Sequence, residues 1–185
     1  FTRDATNGLD AFELMGRARH IAGALRRHLP PEPERALGIL VDSLPPVGSA
    51  GEGAGMGPFA YLPHVLFTAE HGLACFEDAM RAQHALTQRF TAEFSLRAYL
   101  IHHPGPTLAR LHEWARDPSE HVRRAASEGT RPRLPWAARL PAFQADPTPV
   151  LALLEHLKDD PSEYVRRSVA NNLNDIGKDH PKRLV

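Results

Sequence analysis

The sequence at residues 103–126 reads HPGPTLARLHEWARDPSEHVRRAA, and at residues 146–169 it reads DPTPVLALLEHLKDDPSEYVRRSV. These stretches align without a gap at an offset of 43 residues, and 12 of the 24 aligned positions are identical. A period of this length is typical of HEAT-like repeats, in which pairs of helices stack into a curved solenoid. We therefore predict an all-α fold, a HEAT-like helical repeat solenoid with a concave basic face.

The D-P-S-E motif in each copy predicts the start of a helix. Its aspartate, proline and serine suit the cap and the first turn, and its glutamate suits the helix N-terminus because of the helix dipole. We expect helices over about 106–116 and 119–128 to pack as one unit, and those over about 149–158 and 162–173 as the next.

The rest of the chain also shows helical spacing of apolar residues and no sustained alternation typical of strands. Gly72 is expected to end one helix in a left-handed conformation, and residues 45–58, PPVGSAGEGAGMGP, to form a flexible loop. We interpret residues 1–185 as a single HEAT-like repeat domain, with diverged helices over 1–92 and the repeat units that carry the site over 93–185. The further helices are expected near residues 14–29, 37–44, 61–71, 74–89 and 91–102.

Length and composition exclude several classes of protein. The chain has 185 residues, 42% hydrophobic and 24% charged, which is typical of a globular protein and not of a disordered one. Cys75 is the single cysteine, which excludes an internal disulfide and a zinc site built from several cysteines. No apolar run approaches the ~20 residues of a membrane span. We expect a cytoplasmic monomer that does not bind membranes.

The basic residues are unevenly distributed. The formal net charge is zero, but residues 121–140 carry five arginines against one acid, Glu128. Arginine suits bidentate contacts with phosphate, so these residues form either a phosphate-binding patch or a solvated face of the solenoid. The five are Arg123, Arg124, Arg131, Arg133 and Arg139.

The linker between the repeat copies contains SEGTRPRLPW, residues 127–136. Gly129 is expected to end the preceding helix, and the two prolines stiffen the residues after it. The result is a rigid basic loop that holds one carboxylate, Glu128, and one tryptophan, Trp136. Two interpretations are open: a salt-bridged glutamate beside a core tryptophan, which the spacing alone favours, or a site in which both act on a ligand.

Longer strings carry a resemblance to a known family. HVRRAASEGTRPRLPWAARLPAF (121–143), DPSEYVRRSVANNLNDIGKDHP (160–181) and RFTAEFSLRAYL (89–100) resemble the AlkC branch of the AlkC/AlkD alkylpurine DNA glycosylases. So, more weakly, does RARHIAGALRRHLP (17–30). The resemblance implies a HEAT-like protein that hydrolyses the N-glycosidic bond of cationic N-methylated bases, such as 3-methyladenine, in double-stranded DNA. Relatives usually continue past the position of Val185, so two alternatives are open: the chain is C-terminally truncated, or the natural protein ends here with an incomplete DNA-binding surface.

The resemblance assigns roles to individual residues. Glu128 of S-E-G-T-R-P matches the family's essential carboxylate, Glu93 of F-T-A-E-F matches a second active-site acid, and Trp136 of R-L-P-W matches an aromatic contact. These three are the expected catalytic residues. Further positions are expected to contact DNA: Phe94, Arg124, Arg131, Arg133, Arg166, Arg167 and Asn171.

These residue types suit base excision. A methylated ring nitrogen makes the base a cation and a good leaving group, so the remaining task is to stabilise an oxocarbenium-like sugar and direct a water, which a fixed carboxylate can do. We expect no cofactor, no metal and no lyase step, since the three lysines lie outside the site. The alternative is a non-catalytic HEAT-repeat scaffold that binds DNA or protein. Such a scaffold would gain nothing from placing the acids Glu93 and Glu128 opposite phosphates.

Overall fold

A computed structural model describes residues 1–48 and 57–183, and in that part of the chain the regular elements are all helical. The prediction of an all-α fold is confirmed. None of the helices in these ranges is both long and apolar enough to cross a bilayer. In chain order, the α-helices there are α1 (Thr2–Thr6), α2 (Leu14–His28), α3 (Pro33–Asp42), α4 (Leu62–His71), α5 (Phe76–Thr87), α6 (Glu93–His102), α7 (Pro104–Trp114), α8 (Glu120–Gly129), α9 (Pro141–Ala145), α10 (Thr148–Leu154) and α11 (Glu163–Asp179).

The helices predicted from apolar spacing are present as α2 to α6. The prediction that Gly72 is left-handed was wrong, because its φ is −99° and its N–H continues the helical pattern by donating to the carbonyl of Thr68. Most of the loop predicted at 45–58 falls on residues 49–56, which lie outside the described residues. The short helices α1 and α9 were not predicted, since five residues are too few to show a period.

The chain forms two compact units, Phe1–Ser95 and Leu96–Val185, and the boundary between them falls inside α6. In the first unit, α2 packs along α4, and α3 packs along α5. Small and branched apolar side chains fill this core, including Ala22, Leu37 and Val65. The interpretation of the chain as one repeat domain stays a prediction.

The second unit contains both copies of the repeat. α7 packs with α8, as predicted, and also contacts α10. The prediction that the helices near 149–158 and 162–173 pack as the next unit was wrong, because α10 packs with α7, α8 and α9, whereas α11 packs chiefly against α8. The valines of the two V-R-R triplets, Val122 and Val165, are both fully buried. Both valines therefore belong to the core of the second unit, in which the second helices of the two copies pack against each other.

The D-P-S-E turns are capped by their aspartates. The N–H of Ser119 donates to Asp117 Oδ1 at 2.8 Å, and the N–H of Ser162 donates to Asp160 Oδ1 at the same distance. Neither serine makes a side-chain bond that caps its helix. The motif correctly predicted where each helix begins. The side chain that accepts a hydrogen bond from the free backbone N–H at this start is the aspartate, not the serine.

Arg123, the first arginine of V-R-R, joins the two copies of the repeat. Its Nη1 donates to the carbonyls of the aspartate and proline in its own turn, at 2.9 Å each, and the equivalent Arg166 does the same in the second copy. Arg123 Nε and Nη2 then reach Asp160 Oδ2 and Oδ1 at 2.7 and 3.0 Å. Arg123 is therefore a structural link and not a free surface cation.

Asp160 is buried, and its ionised form is stabilised by the bonds from Arg123. Burial by itself would raise the pKa of Asp160, but the hydrogen bonds from Arg123 and from the Ser162 N–H outweigh it and hold the pKa below its ordinary value. The folded chain therefore favours the ionised aspartate.

We predict that Asp160→Asn lowers the free energy of unfolding at pH 7 by about 2 kcal/mol, because the ion pair is lost while the bond to Ser162 is kept. The stabilisation comes from a lowered pKa, so it is present above the unfolded value of ~3.9 and is lost as the pH falls through the folded value. Urea unfolding at pH 7 and pH 3 measures both effects.

The control for this prediction is Asp159→Asn, which removes an exposed carboxylate next to Asp160 in the sequence. It should change the free energy of unfolding by less than about 0.5 kcal/mol. A difference between wild type and Asp160→Asn that is equally large at both pH values would contradict the assignment.

Candidate active site

Glu128 lies in the last turn of α8 and is only 5% exposed. Both of its carboxylate oxygens accept hydrogen bonds: Oε2 from Ser168 Oγ and Oε1 from Arg131 Nη1, each at 2.6 Å. Arg124 Nη2 lies 3.6 Å from Oε1. The carboxylate is thus held from two directions by fixed donors, with a second cation near it.

Arg131 is shared between two buried carboxylates. Besides its bond to Glu128, its Nε donates at 2.9 Å to Oδ2 of Asp175, which is 1% exposed. Burial would lower the pKa of Arg131, but the two carboxylates outweigh burial and raise it. Lys178 Nζ, 3.2 Å from Asp175 Oδ1, adds a further positive charge on the outer side.

Three polar side chains on one face of α11 hold the end of α8. Ser168, Asn172 and Asp175 follow one another at spacings of four and three residues, so they share a face of the helix, and all are buried. Asn172 Nδ2 donates to the carbonyl of Ser127 at 2.7 Å and to Thr130 Oγ1 at 3.0 Å. The turn that carries Glu128 is therefore fixed through its backbone and through its carboxylate.

This polar face was not predicted, although it lies within one of the strings that carry the family resemblance. The sequence does contain a signal for it, because these polar residues fall at helical spacing on the same buried face as Val165, Val169 and Ile176. The predicted contact residue in that string, Asn171, is exposed, whereas its neighbour Asn172 makes the bonds.

Gly129 ends α8, as predicted. A side chain at this position would have no room. An added Cβ would lie 2.8 Å from Leu96 Cδ1 and 3.2 Å from Leu96 Cβ, closer than packed carbon atoms approach. The end of α8 thus approaches α6 at Leu96 without an intervening side chain.

Residues 129–138, which we call the Trp136 segment, are tied to α6 by Arg97. This side chain is 2% exposed. Its Nη1 donates to the carbonyls of Arg131 at 2.8 Å and Gly129 at 3.4 Å, and its Nε donates to the carbonyl of Ala138. Burial, with the nearby charge of Arg131, lowers the pKa of Arg97 to about 10, so it stays protonated at neutral pH. The sequence analysis missed this residue.

Trp136 is 79% exposed, so the interpretation of a core tryptophan was wrong. Its φ is 60°, a left-handed conformation that is uncommon for residues other than glycine. Within the same segment, Leu134 is buried, and Arg133 donates to the carboxylate of Asp179 through Nε at 3.0 Å and also through Nη2. The segment therefore presents an aromatic ring to solvent from an anchored backbone.

Of the other predicted site residues, Glu93 and Phe94 lie at the start of α6 and Arg124 lies beside Tyr164. Glu93, the first residue of α6, is buried in the first compact unit, and Phe94 beside it is half-buried. The guanidinium carbon of Arg124 lies 5.3 Å from the centre of the Tyr164 ring, within cation–π range.

The arginines of the second V-R-R triplet are both exposed. Arg166 bonds backbone carbonyls through one nitrogen, and Arg167 pairs with the exposed Glu163 at 2.7 Å. The structure thus brings Glu128, Arg124 and Arg131 together and uses Arg133 and Arg166 partly as structural donors. Among the described residues, no group of three histidine, cysteine, aspartate or glutamate side chains could hold a metal ion.

The chain is similar to known proteins in sequence and in fold. Residues 87–185 match the family described as DNA alkylation repair enzyme. The chain is 42% identical over 174 residues to the uncharacterized protein YhaZ of Bacillus subtilis strain 168, covering 92% of this chain and 45% of that protein.

A solved structure is also similar, that of the Pseudomonas fluorescens alkylpurine DNA glycosylase AlkC bound to DNA containing an abasic site analog. It shows 40% identity and a TM-score of 0.87, with 97% of this chain and 48% of that chain covered. The likeness confirms the predicted HEAT-like helical repeat fold and the resemblance to AlkC. The chain spans about half the length of these relatives.

We predict that Arg131→Met lowers the free energy of unfolding by about 3–5 kcal/mol, because it leaves Glu128 and Asp175 buried without their shared cation. Adding Asp175→Asn to this variant should recover part of the loss, giving a coupling energy of about 1–3 kcal/mol. Urea unfolding of wild type, both single variants and the double variant measures it.

The matched control is Arg139→Met, which removes an exposed arginine from the same stretch and should change stability by less than about 0.5 kcal/mol. Strictly additive losses for Arg131→Met and Asp175→Asn would show that the two residues do not stabilise each other.

Proposed function

The chain belongs to the DNA alkylation repair enzyme family, and on that premise we propose that it is a monofunctional DNA glycosylase of alkylation base-excision repair. It hydrolyses the N-glycosidic bond of cationic N-methylated bases, such as 3-methyladenine, in double-stranded DNA. One observation carries the proposal: Glu128 is fixed by two donors at 2.6 Å at the start of a segment that displays Trp136 to solvent.

Glu128 supplies the negative charge that the reaction needs. As the bond to a cationic base lengthens, positive charge moves onto the sugar, and a carboxylate in a fixed position stabilises it without first reorganising. Arg131 and Ser168 restrict the rotation of Glu128, so little of its attraction is lost to side-chain entropy. The same carboxylate directs the attacking water, as in glycoside hydrolysis. Glu93 is the proposed second acid.

Trp136 binds the base or its neighbours through its exposed ring. A cation near the face of a tryptophan gains ~0.5–2 kcal/mol, with the larger values at sites shielded from water. A neutral base gains no such term, so Trp136 favours the methylated base over the undamaged one. Its 79% exposure in the free protein leaves the ring available for this contact.

The phosphate backbone is bound by the basic residues around this site. Arg167 is exposed, and its pair with Glu163 lies on the surface, where such pairs contribute ~0–1 kcal/mol and exchange readily for a phosphate. Arg124 and Arg131 bring positive charge close to Glu128. The other proposed DNA contacts are Phe94, Arg133, Arg166 and Asn171. A non-catalytic scaffold would give no reason to fix a buried carboxylate beside a displayed tryptophan.

We predict that Glu128→Gln slows single-turnover release of 3-methyladenine at least ~10²-fold, a loss of ~2.7 kcal/mol of transition-state stabilisation. The variant is conservative, because the amide oxygen can accept from Arg131 while the amide nitrogen donates to Ser168 Oγ, whose hydroxyl can rotate. DNA affinity should be unchanged or slightly higher. Trp136→Ala should cost less, within ~0.5–2 kcal/mol.

Circular dichroism of each variant is the control, because a purely structural glutamate would lower thermal stability while the folded fraction kept its rate. A near-normal rate in folded Glu128→Gln would remove Glu128 from the mechanism.

We predict that Arg167→Gln lowers the slope of log affinity against log salt by about 0.9, the value for one lost phosphate contact. Lys158→Gln is the matched control, because Lys158 is also an exposed cation paired with a surface glutamate but is not a proposed DNA contact. Fluorescence titration of an undamaged duplex at several salt concentrations measures both slopes. Equal slopes for Arg167→Gln and wild type would exclude Arg167 from the interface.

A further inference from the structure

The backbone of Trp136 is left-handed, with a φ of 60°, and its own side chain does not explain this conformation. A residue other than glycine holds a positive φ only where its surroundings impose it. A ring that is 79% exposed makes little packing contact that could impose it. The conformation must therefore be enforced through the backbone and side chains on either side of Trp136.

Arg97 supplies the first anchor. Its donors reach the carbonyl of Arg131, five residues before Trp136, and the carbonyl of Ala138, two residues after it. A guanidinium is a planar fork with donors in fixed directions, so it sets the separation of the two carbonyls as well as binding them. One buried side chain thus closes the segment into a loop with Trp136 inside it.

Asp179, the last residue of α11, supplies the second anchor. Its carboxylate accepts two bonds from Arg133, three residues before Trp136, and one from Gln144 Nε2 at 3.3 Å. The bond from Arg133 lowers the pKa of Asp179, so the carboxylate is ionised at neutral pH. Leu134, buried between Arg133 and Trp136 in the sequence, adds an apolar contact.

We propose that Arg97 and Asp179 are positioning residues, which hold the Trp136 segment from two sides and so fix the direction in which the Trp136 ring faces DNA. This inference rests on the proposed function, because the ring is held for a contact made in the complex. Neither residue touches the base. Both act by keeping an exposed ring in one orientation before DNA binds.

The first test uses the free protein. The chain has two tryptophans, so Trp114→Phe leaves Trp136 as the sole tryptophan. In that background, time-resolved fluorescence anisotropy should show a larger nanosecond component in Arg97→Lys and in Asp179→Asn. Lysine keeps the charge but cannot hold two carbonyls in the geometry of the fork. Arg123→Lys, another partly buried arginine with bonds to carbonyls and an aspartate, is the control and should leave Trp136 unchanged.

The second test is a double-mutant cycle on single-turnover excision of 3-methyladenine. Arg97→Lys should slow excision by about 2- to 30-fold, the range that loss of the aromatic contact allows. The same change should cost less than about twofold in a Trp136→Ala background, because its effect passes through Trp136. A residue that only stabilises the fold would slow both backgrounds equally.

The outcomes separate the two proposals. If wild type releases no base but the anisotropy changes as expected, the proposed function fails and the positioning role stands. If Arg97→Lys does not fold, Asp179→Asn decides, since it lies at the end of α11 and leaves the apolar core intact. Unchanged anisotropy in a folded variant, or equal rate losses with and without Trp136, would overturn the positioning role.

Discussion

The site depends on one guanidinium, that of Arg131, which two buried carboxylates share. Glu128 comes from the end of α8 and Asp175 from the last part of α11, and without Arg131 the two buried carboxylates would lose the cation that they share. A buried ion pair of this kind adds little net stability, but removing one partner is costly. Its consequence here is geometric, because the guanidinium that compensates Asp175 through Nε also fixes, through Nη1, where the Glu128 carboxylate lies.

The repeat architecture explains why such a site can form between two helices. The second helices of the repeats pack against each other, and Gly129 lets the end of α8 come close to α6 at Leu96. Ser168 and Asn172 on α11 then reach groups that α8 presents at its last turn. The arginines lie in two environments: Arg123 and Arg133 of the basic stretch bind protein carboxylates in partly buried pairs, whereas Arg167 of the second repeat copy pairs with Glu163 at the surface.

The sequence was sufficient to predict features that repeat or have a period: the helices, the 43-residue unit, and the end of α8 at Gly129. It was also sufficient to select Glu128 and Trp136, through long unusual strings. It could not give the exposure of Trp136, because an aromatic residue between apolar neighbours suits a core equally well. It could not identify Arg97 or Asp179, because their partners are carbonyls and charges 32 to 46 residues away along the chain. Asn172 was not identified, since one step along a helix exchanges an exposed position such as Asn171 for a buried one.

On the proposed function, a fixed carboxylate assists the departure of a base that is already cationic. The most direct measurement compares two duplexes of one sequence, one with 3-methyladenine and one with its neutral 3-deaza analogue, and follows free base by chromatography under single-turnover conditions. The proposed function predicts that both duplexes bind, that 3-methyladenine is released without strand cleavage, and that no release of the neutral analogue is detected. Equal release from both duplexes, or tight binding with no release from either, would contradict it.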